Sequence, residues 1–239
     1  MNTRKVNAKQ CKMVAHRGCS GLEKENTLAA FIAAGNRSYW GVETDVHRTA
    51  DGEYVVIHDS ETGRVAGDNI VIENTSFEYI RSLRLKDIDG TRTRADLRIP
   101  TLREYIAICK KYEKNCVLEF KTVYTLEQVA EMVEIIKEEG WLEHVVFISF
   151  AYDNLLNLRK ILPGHPAQFL TGEYTDAMVE MIHKDKIDLD IYFSALDEEK
   201  IKRLHDLGII VNAWTVDDPE KAQQLIDWGI DYITSNICE

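Results

Sequence analysis

The sequence has no C-x-x-C pair, no long apolar run, no low-complexity stretch and no surplus of positive charge. Each absence removes a class of protein. Cys11, Cys19, Cys109, Cys116 and Cys238 are an odd number without paired spacing, so a disulfide framework is not expected and some are read as small core hydrophobes. Without a long apolar run, no segment can span a bilayer as a helix. The opening MNTRKVNAKQCK is basic but is followed by neither an apolar signal segment nor a cleavage site, which predicts a cytoplasmic protein. With 29 Lys and Arg against 40 Asp and Glu, a net charge of −11 offers no footprint for nucleic acid or an anionic membrane. An acidic protein that handles an anion must gather positive charge at the site.

What remains is a chain of 239 residues, 45% hydrophobic and 29% charged, the size of one large α/β domain spanning residues 1–239. KMVA reads as the first strand, and Thr27 as the cap of a helix TLAAFIAAGNR that Gly35 helps to end. Tyr39 to Asp45 reads as the second strand. HRTADGEYVVIHD then forms a hairpin arm about the turn pair Asp51-Gly52. Residues 60–100 are irregular and polar, too long for an ordinary βα loop, and are expected to be an insertion at the mouth of the fold. From Thr101 onward, capped helices alternate with CVLEF, HVVFISF, AQFLTG, DLDIYF, IIVNAWTV and DYITSN, with helix-Gly-strand junctions at Gly140, Gly208 and Gly229. Eight strands alternating with helices predict a parallel (β/α)8 barrel with a small insertion after the second strand.

Chemistry gathers where strands end. Glu43 and Asp45, two apart on a strand, point the same way and repel unless a proton or cation lies between them. Glu119 ends the neighbouring strand, and three converging carboxylates suit a hard cation such as Mg²⁺ or Ca²⁺. His16 and His58 each end a strand and flank this cluster as a candidate acid/base pair. Arg17 and Lys121 stand beside them and supply the positive charge a phosphate needs. Cys19 lies near His16, but no acyl-transfer pattern supports it as a nucleophile.

VAHRG, ENTLAAF, ETD, TADG and VIHD resemble the glycerophosphodiester phosphodiesterase family, and IPTL, LEFK and AWTV extend the likeness over nearly the whole chain. The resemblance implies a TIM barrel with an insertion after strand 2, and a divalent metal on Glu43, Asp45 and Glu119. It also implies His16 and His58 as acid and base, Arg17 and Lys121 on the phosphate, and Phe150 and Trp214 around the alcohol groups. Two departures stand out: Lys24 replaces a common proline, and Thr234-Ser235-Asn236 replaces the usual T-D ending of the last strand. The second bears on polar contacts from that strand.

The expected activity is metal-dependent hydrolysis of a small phosphodiester, glycerophosphodiester to sn-glycerol 3-phosphate and an alcohol. Two other readings compete: a lysophospholipase D, which needs an apolar groove at the mouth, and a non-catalytic barrel that binds a phosphorylated ligand. The second would be favoured if a histidine or a ligand carboxylate were missing, and none is.

Overall fold

The computed structural model describes residues 2–239. β1 (Lys12–Ala15) leads to α1 (Leu28–Gly35), where the Thr27 hydroxyl caps the first turn by accepting the Ala30 amide. Gly35 plays a different part from the stop expected of it. Asn36 caps the helix, and the missing Gly35 side chain makes room for the Tyr112 ring, with which a Cβ would collide. β2 (Gly41–Arg48) runs three residues past Asp45, because β3 (Tyr54–Val56) folds back antiparallel and pairs Val46 with Val56 and Arg48 with Tyr54. At eight residues β2 is the longest strand, hydrogen-bonded to β1, β3 and β4 (Asn115–Phe120).

Residues 60–100 form the expected insertion. It holds α2 (Gly63–Ala66) and α3 (Phe77–Ser82) around a small core of its own, in which Val55, Ile57, Ile72, Ile80, Leu97 and Ile99 are buried. Regular alternation then returns. Thr101 and Glu104 form a capping box at the start of α4 (Leu102–Lys111), and Thr125 and Gln128 do the same for α5 (Leu126–Glu138). Gly140, at φ +64°, turns the chain out of α5. There follow β5 (Val145–Ser149), α6 (Tyr152–Ile161), β6 (Ala167–Thr171), α7 (Asp176–Asp185), β7 (Asp188–Tyr192), α8 (Glu198–Asp206), β8 (Val211–Trp214), α9 (Pro219–Asp227) and β9 (Tyr232–Ser235).

The eight parallel strands close on themselves, since β1 pairs with β2 on one side and with β9 on the other. This is the (β/α)8 barrel the alternation predicted, with β3 and the insertion added after its second strand. The largest buried cluster lies between the strands and the helices, where Phe31, Leu118, Phe120 and Phe147 are among its members. Inside the barrel, Val14, Val117, Val146, Ile148, Leu170 and Tyr232 pack with Trp40 and Trp214. Burying this much apolar surface on both faces of the strands is what holds the barrel shut.

The interior also carries polar residues. Gln168, Asp190, Asn212 and Thr234 are each 3% exposed or less. Asn212 donates to Gln168 at 3.3 Å and accepts from the Thr234 hydroxyl at 3.2 Å. Because helices cover the outside of the barrel, the polar positions of these strands turn inward.

Candidate active site at the carboxyl ends of the strands

Strand ends converge on one mouth of the barrel. In register, Asp45 on β2 is opposite Glu119 on β4, and Glu43 lies two residues back on the same side. One carboxylate oxygen from each of Glu43, Asp45 and Glu119 lies within 4.8 Å of the others, and all three residues are buried. His16 follows β1 and His58 follows β3, so the hairpin carries the second histidine to the rim.

Each histidine is held by Nδ1. His58 Nδ1 bonds to Asp59 Oδ1 at 2.6 Å, and His16 Nδ1 bonds to Asn236 Oδ1 at 2.7 Å. Asn236 is fixed in turn: its side-chain amide and backbone N–H donate to Asp217, and the Ser20 hydroxyl donates to its Oδ1. An oxygen on Nδ1 fixes the tautomer and leaves Nε2 as the free ring nitrogen. His16 Nε2 lies 3.9 Å from Glu43 Oε2.

Arg17 has φ +54°, a left-handed conformation that non-glycine residues adopt rarely. Gly18 beside it has φ +77° and presses on Ala30, where a Cβ would lie 2.7 Å away. This turn aims the Arg17 amide at Glu43 Oε2, 2.8 Å distant, and the guanidinium at Asp45 (3.4 Å) and Glu25 (3.1 Å). Lys121 Nζ lies 2.9 Å from Glu119 Oε1 and 3.4 Å from Asp45 Oδ1. Asn26, also at positive φ, donates to Asp45 Oδ2 at 2.7 Å and accepts from the Thr44 hydroxyl at 2.8 Å.

The electrostatics follow from this crowding. Burial and the charge of Asp45 push Glu43 well above the carboxylate range and Glu119 up to about 8. Burial opposes the charge on Asp45 as well, but Lys121, Arg17 and His58 outweigh it and hold Asp45 well below its ordinary value. Burial together with Arg17 brings His16 down to about 4. Burial, helped by Arg17 and Lys121, also lowers His58, against the pull of Asp45 and Asp59. Asp45 Oδ1 is buried and makes no hydrogen bond. Three buried oxygen donors, two of them unable to stay charged unaided, fit a hard divalent cation.

A sequence profile described as the glycerophosphoryl diester phosphodiesterase family matches residues 16–238. The chain belongs to that family. Among its relatives is a glycerophosphodiester phosphodiesterase of Caldanaerobacter subterraneus subsp. tengcongensis. The two are 29% identical over 230 residues, covering 94% of this chain and 93% of the relative. An Oleispira antarctica phosphodiesterase, solved in complex with the product sn-glycerol-3-phosphate, superposes with a TM-score of 0.87. It is 26% identical, and the match covers 98% of this chain and 96% of that one. A glycerophosphodiester phosphodiesterase of Thermotoga maritima is 27% identical with a TM-score of 0.76, over 95% and 94% of the two chains. Members of this family are phosphoric diester hydrolases, and this chain is an enzyme of that class.

Of the candidate residues, His16, Arg17, Glu43, His58, Glu119, Lys121, Phe150 and Trp214 line one cavity, and Asp45 lies behind it. Phe150 and Trp214 meet edge to face at 5.6 Å, and Tyr192 stands 5.6 Å from Trp214 on the other side. Cys19 is buried with its thiol toward the Tyr39 hydroxyl and takes no part. The last strand does make a polar contact despite departing from the family ending: Asn236 is the residue that holds His16. Sequence reading also missed Asp217 and Asn26 as supports, and Asp190, which lines the cavity with Oδ1 unpartnered. The alternation of Asp188-Leu189-Asp190-Ile191 was the available signal for the last of these.

Proposed function

We propose that this family member hydrolyses glycerophosphodiesters to sn-glycerol 3-phosphate and an alcohol, with a divalent cation on Glu43, Asp45 and Glu119. The observation that carries the reading is the buried carboxylate triad beside a cavity that two histidines, each fixed through Nδ1, also line. It agrees with the product named in the Oleispira antarctica complex. When bound, the cation supplies a Lewis acid that neutralises phosphate charge.

The chain's own groups do the rest. Arg17 and Lys121 present positive charge to the phosphate oxygens from fixed positions, so charge that develops during displacement meets groups already in place. One histidine takes the proton of the nucleophile, water or a glycerol hydroxyl, at Nε2, and the other gives a proton to the departing alkoxide. Where the glycerol hydroxyl attacks, water then opens the cyclic phosphate to glycerol 3-phosphate. Asp59 and Asn236 each accept from Nδ1 and so favour the imidazolium form of His58 and His16 respectively, against burial and the neighbouring cations. Phe150 and Trp214 shield the cavity from water and give the alcohol arms an apolar wall. The whole of residues 1–239 acts as one domain in this proposal, with the insertion as part of the rim.

The triad and both histidines are present together, which favours catalysis over mere binding of a phosphorylated ligand. Among the described residues no helix is long and apolar enough to cross a membrane. All five cysteines are free and buried, which supports a cytoplasmic setting. The test is a coupled assay for glycerol 3-phosphate release from glycerophosphocholine, glycerophosphoethanolamine and a lysophospholipid, with and without chelator. Release from the first two, abolished by chelator, is expected. Turnover of the lysophospholipid alone would replace this reading with a lysophospholipase D.

A further inference from the structure

We infer that Arg64, supplied by the insertion, is a positioning residue that ties His58 and Arg17 into one unit. The inference rests on the roles proposed above for those two residues.

Arg64 Nε donates to Asp59 Oδ2 at 2.6 Å, while its two terminal nitrogens form a fork on Glu25, at 2.6 and 2.8 Å. Each partner reaches the site directly. Asp59 uses its other oxygen to hold His58 Nδ1 at 2.6 Å. Glu25 Oε1 also accepts from Arg17 at 3.1 Å. One planar guanidinium therefore joins the group that orients a histidine to the group that orients the phosphate-facing arginine. The geometry needs three donors on two edges of a rigid plane, which arginine has and lysine does not.

The insertion places this group. Arg64 lies in α2, whose Val65 and Ala66 are buried in the insertion's core. Thr62, just before it, accepts from the Ile70 amide and donates to the Asp68 carbonyl, which closes the loop beyond α2. The charges agree with the geometry. Asp59 and Glu25 are both held down at about 2 against burial, with hydrogen bonds to Arg64 foremost among the lowering causes. The Arg64 side chain is itself 45% exposed, so its ion pairs contribute little to folding and its removal leaves a folded protein. What Arg64 contributes is a fixed direction for two site residues.

The experiment compares wild type, Arg64→Ala and Arg64→Lys on glycerophosphocholine with saturating Mg²⁺. It also runs Arg64→Ala in an Asp59→Ala, Glu25→Ala background. Removing a group that orients a ligand or catalytic side chain typically costs about 10- to 100-fold. Arg64→Ala is expected to lower kcat by that factor while remaining folded, with a melting temperature lowered by only a few degrees because its ion pairs are half-exposed. Arg64→Lys should recover only a small part, and added guanidinium ion should restore Arg64→Ala. In the doubly substituted background the same change should cost less than twofold, because the groups it acts through are gone. Full kcat in Arg64→Ala, or an equal loss in both backgrounds, overturns the inference. Absence of turnover by wild type overturns the proposed function instead, so the two failures are distinguishable.

Discussion

Asn26 allows the support of the carboxylate cluster to be measured. The residue is 3% exposed, adopts φ +53°, donates to Asp45 and accepts from Thr44. Replacing it with alanine has three separable costs. Alanine in a left-handed conformation costs about 1 kcal/mol. The bond to a charged carboxylate is worth about 1.5–3 kcal/mol, and the neutral bond to Thr44 about 1 kcal/mol. Together they predict a loss of roughly 4 kcal/mol, or a fall in Tm of roughly 10 °C for a chain of this size. Asn26→Gly relieves the backbone cost and should be about 1 kcal/mol better than alanine. Asn26→Asp keeps the shape but sets an acceptor against Asp45 Oδ2, where a donor now lies at 2.7 Å. Its loss should be large in chelator and much smaller in millimolar Mg²⁺, because a cation offsets the added negative charge. Thermal melts of the four proteins with and without Mg²⁺, together with a Mg²⁺ titration, check the scheme. If Asn26→Ala melts within about 2 °C of wild type and binds Mg²⁺ unchanged, the reasoning fails.

Glu43→Gln and Asp45→Asn each remove a full ligand charge, so both should weaken cation binding and need more Mg²⁺ for half-maximal turnover, and wild-type turnover in excess chelator would refute a metal role. His16→Ala and His58→Ala should each lower kcat by about 10²- to 10⁴-fold. On a nitrophenyl phosphodiester, whose leaving group needs no proton, the variant lacking the acid should recover and the other should not. Equal losses on both substrates would show that the roles are not divided. Glu25 is held at about 2, below its ordinary 4.5, chiefly by Arg64 and Arg17 working against burial. Its contribution to stability is therefore present above 4.5 and lost as pH falls toward about 2. The stability gap between wild type and Glu25→Gln, measured by urea unfolding, should narrow from pH 6 to pH 3, and a gap that widens would refute the pairing.

Much of the site was legible because its principal residues are strand ends. An apolar run that stops at His16, Asp45, His58 or Glu119 announces a polar side chain at a rim, and helix caps such as Thr101 and Thr125 mark the alternation that makes the rim circular. The supports were less visible because they are remote in sequence. Asn236 meets His16 across 220 positions, and nothing local to either residue says so. Asp190 and Asn212 were hidden for another reason. Alternation in a strand gives two faces without saying which is wet, and in this barrel the inward face carries polar groups beside apolar packing. β2 was read three residues short because the hairpin lengthens it beyond the point where its apolar pattern ends.

The length and pairing of β2 bear on how the molecule fluctuates. The strand that carries Glu43 and Asp45 is stitched to β1 and β4 within the barrel and to β3 beyond it. Local opening proceeds where few bonds must break at once, as at fraying loops and chain ends. Freeing Asp45 would require breaking ladders on both edges of β2, so its amides should exchange with solvent only when the whole barrel unfolds. The insertion is tied to the same ladders, since Val55 of β3 lies in its core, the Val56 amide donates to Pro100 and the Ala50 amide donates to Thr75. Arg64 therefore sits on a segment anchored to the strands that carry the carboxylates, as a residue that fixes direction requires.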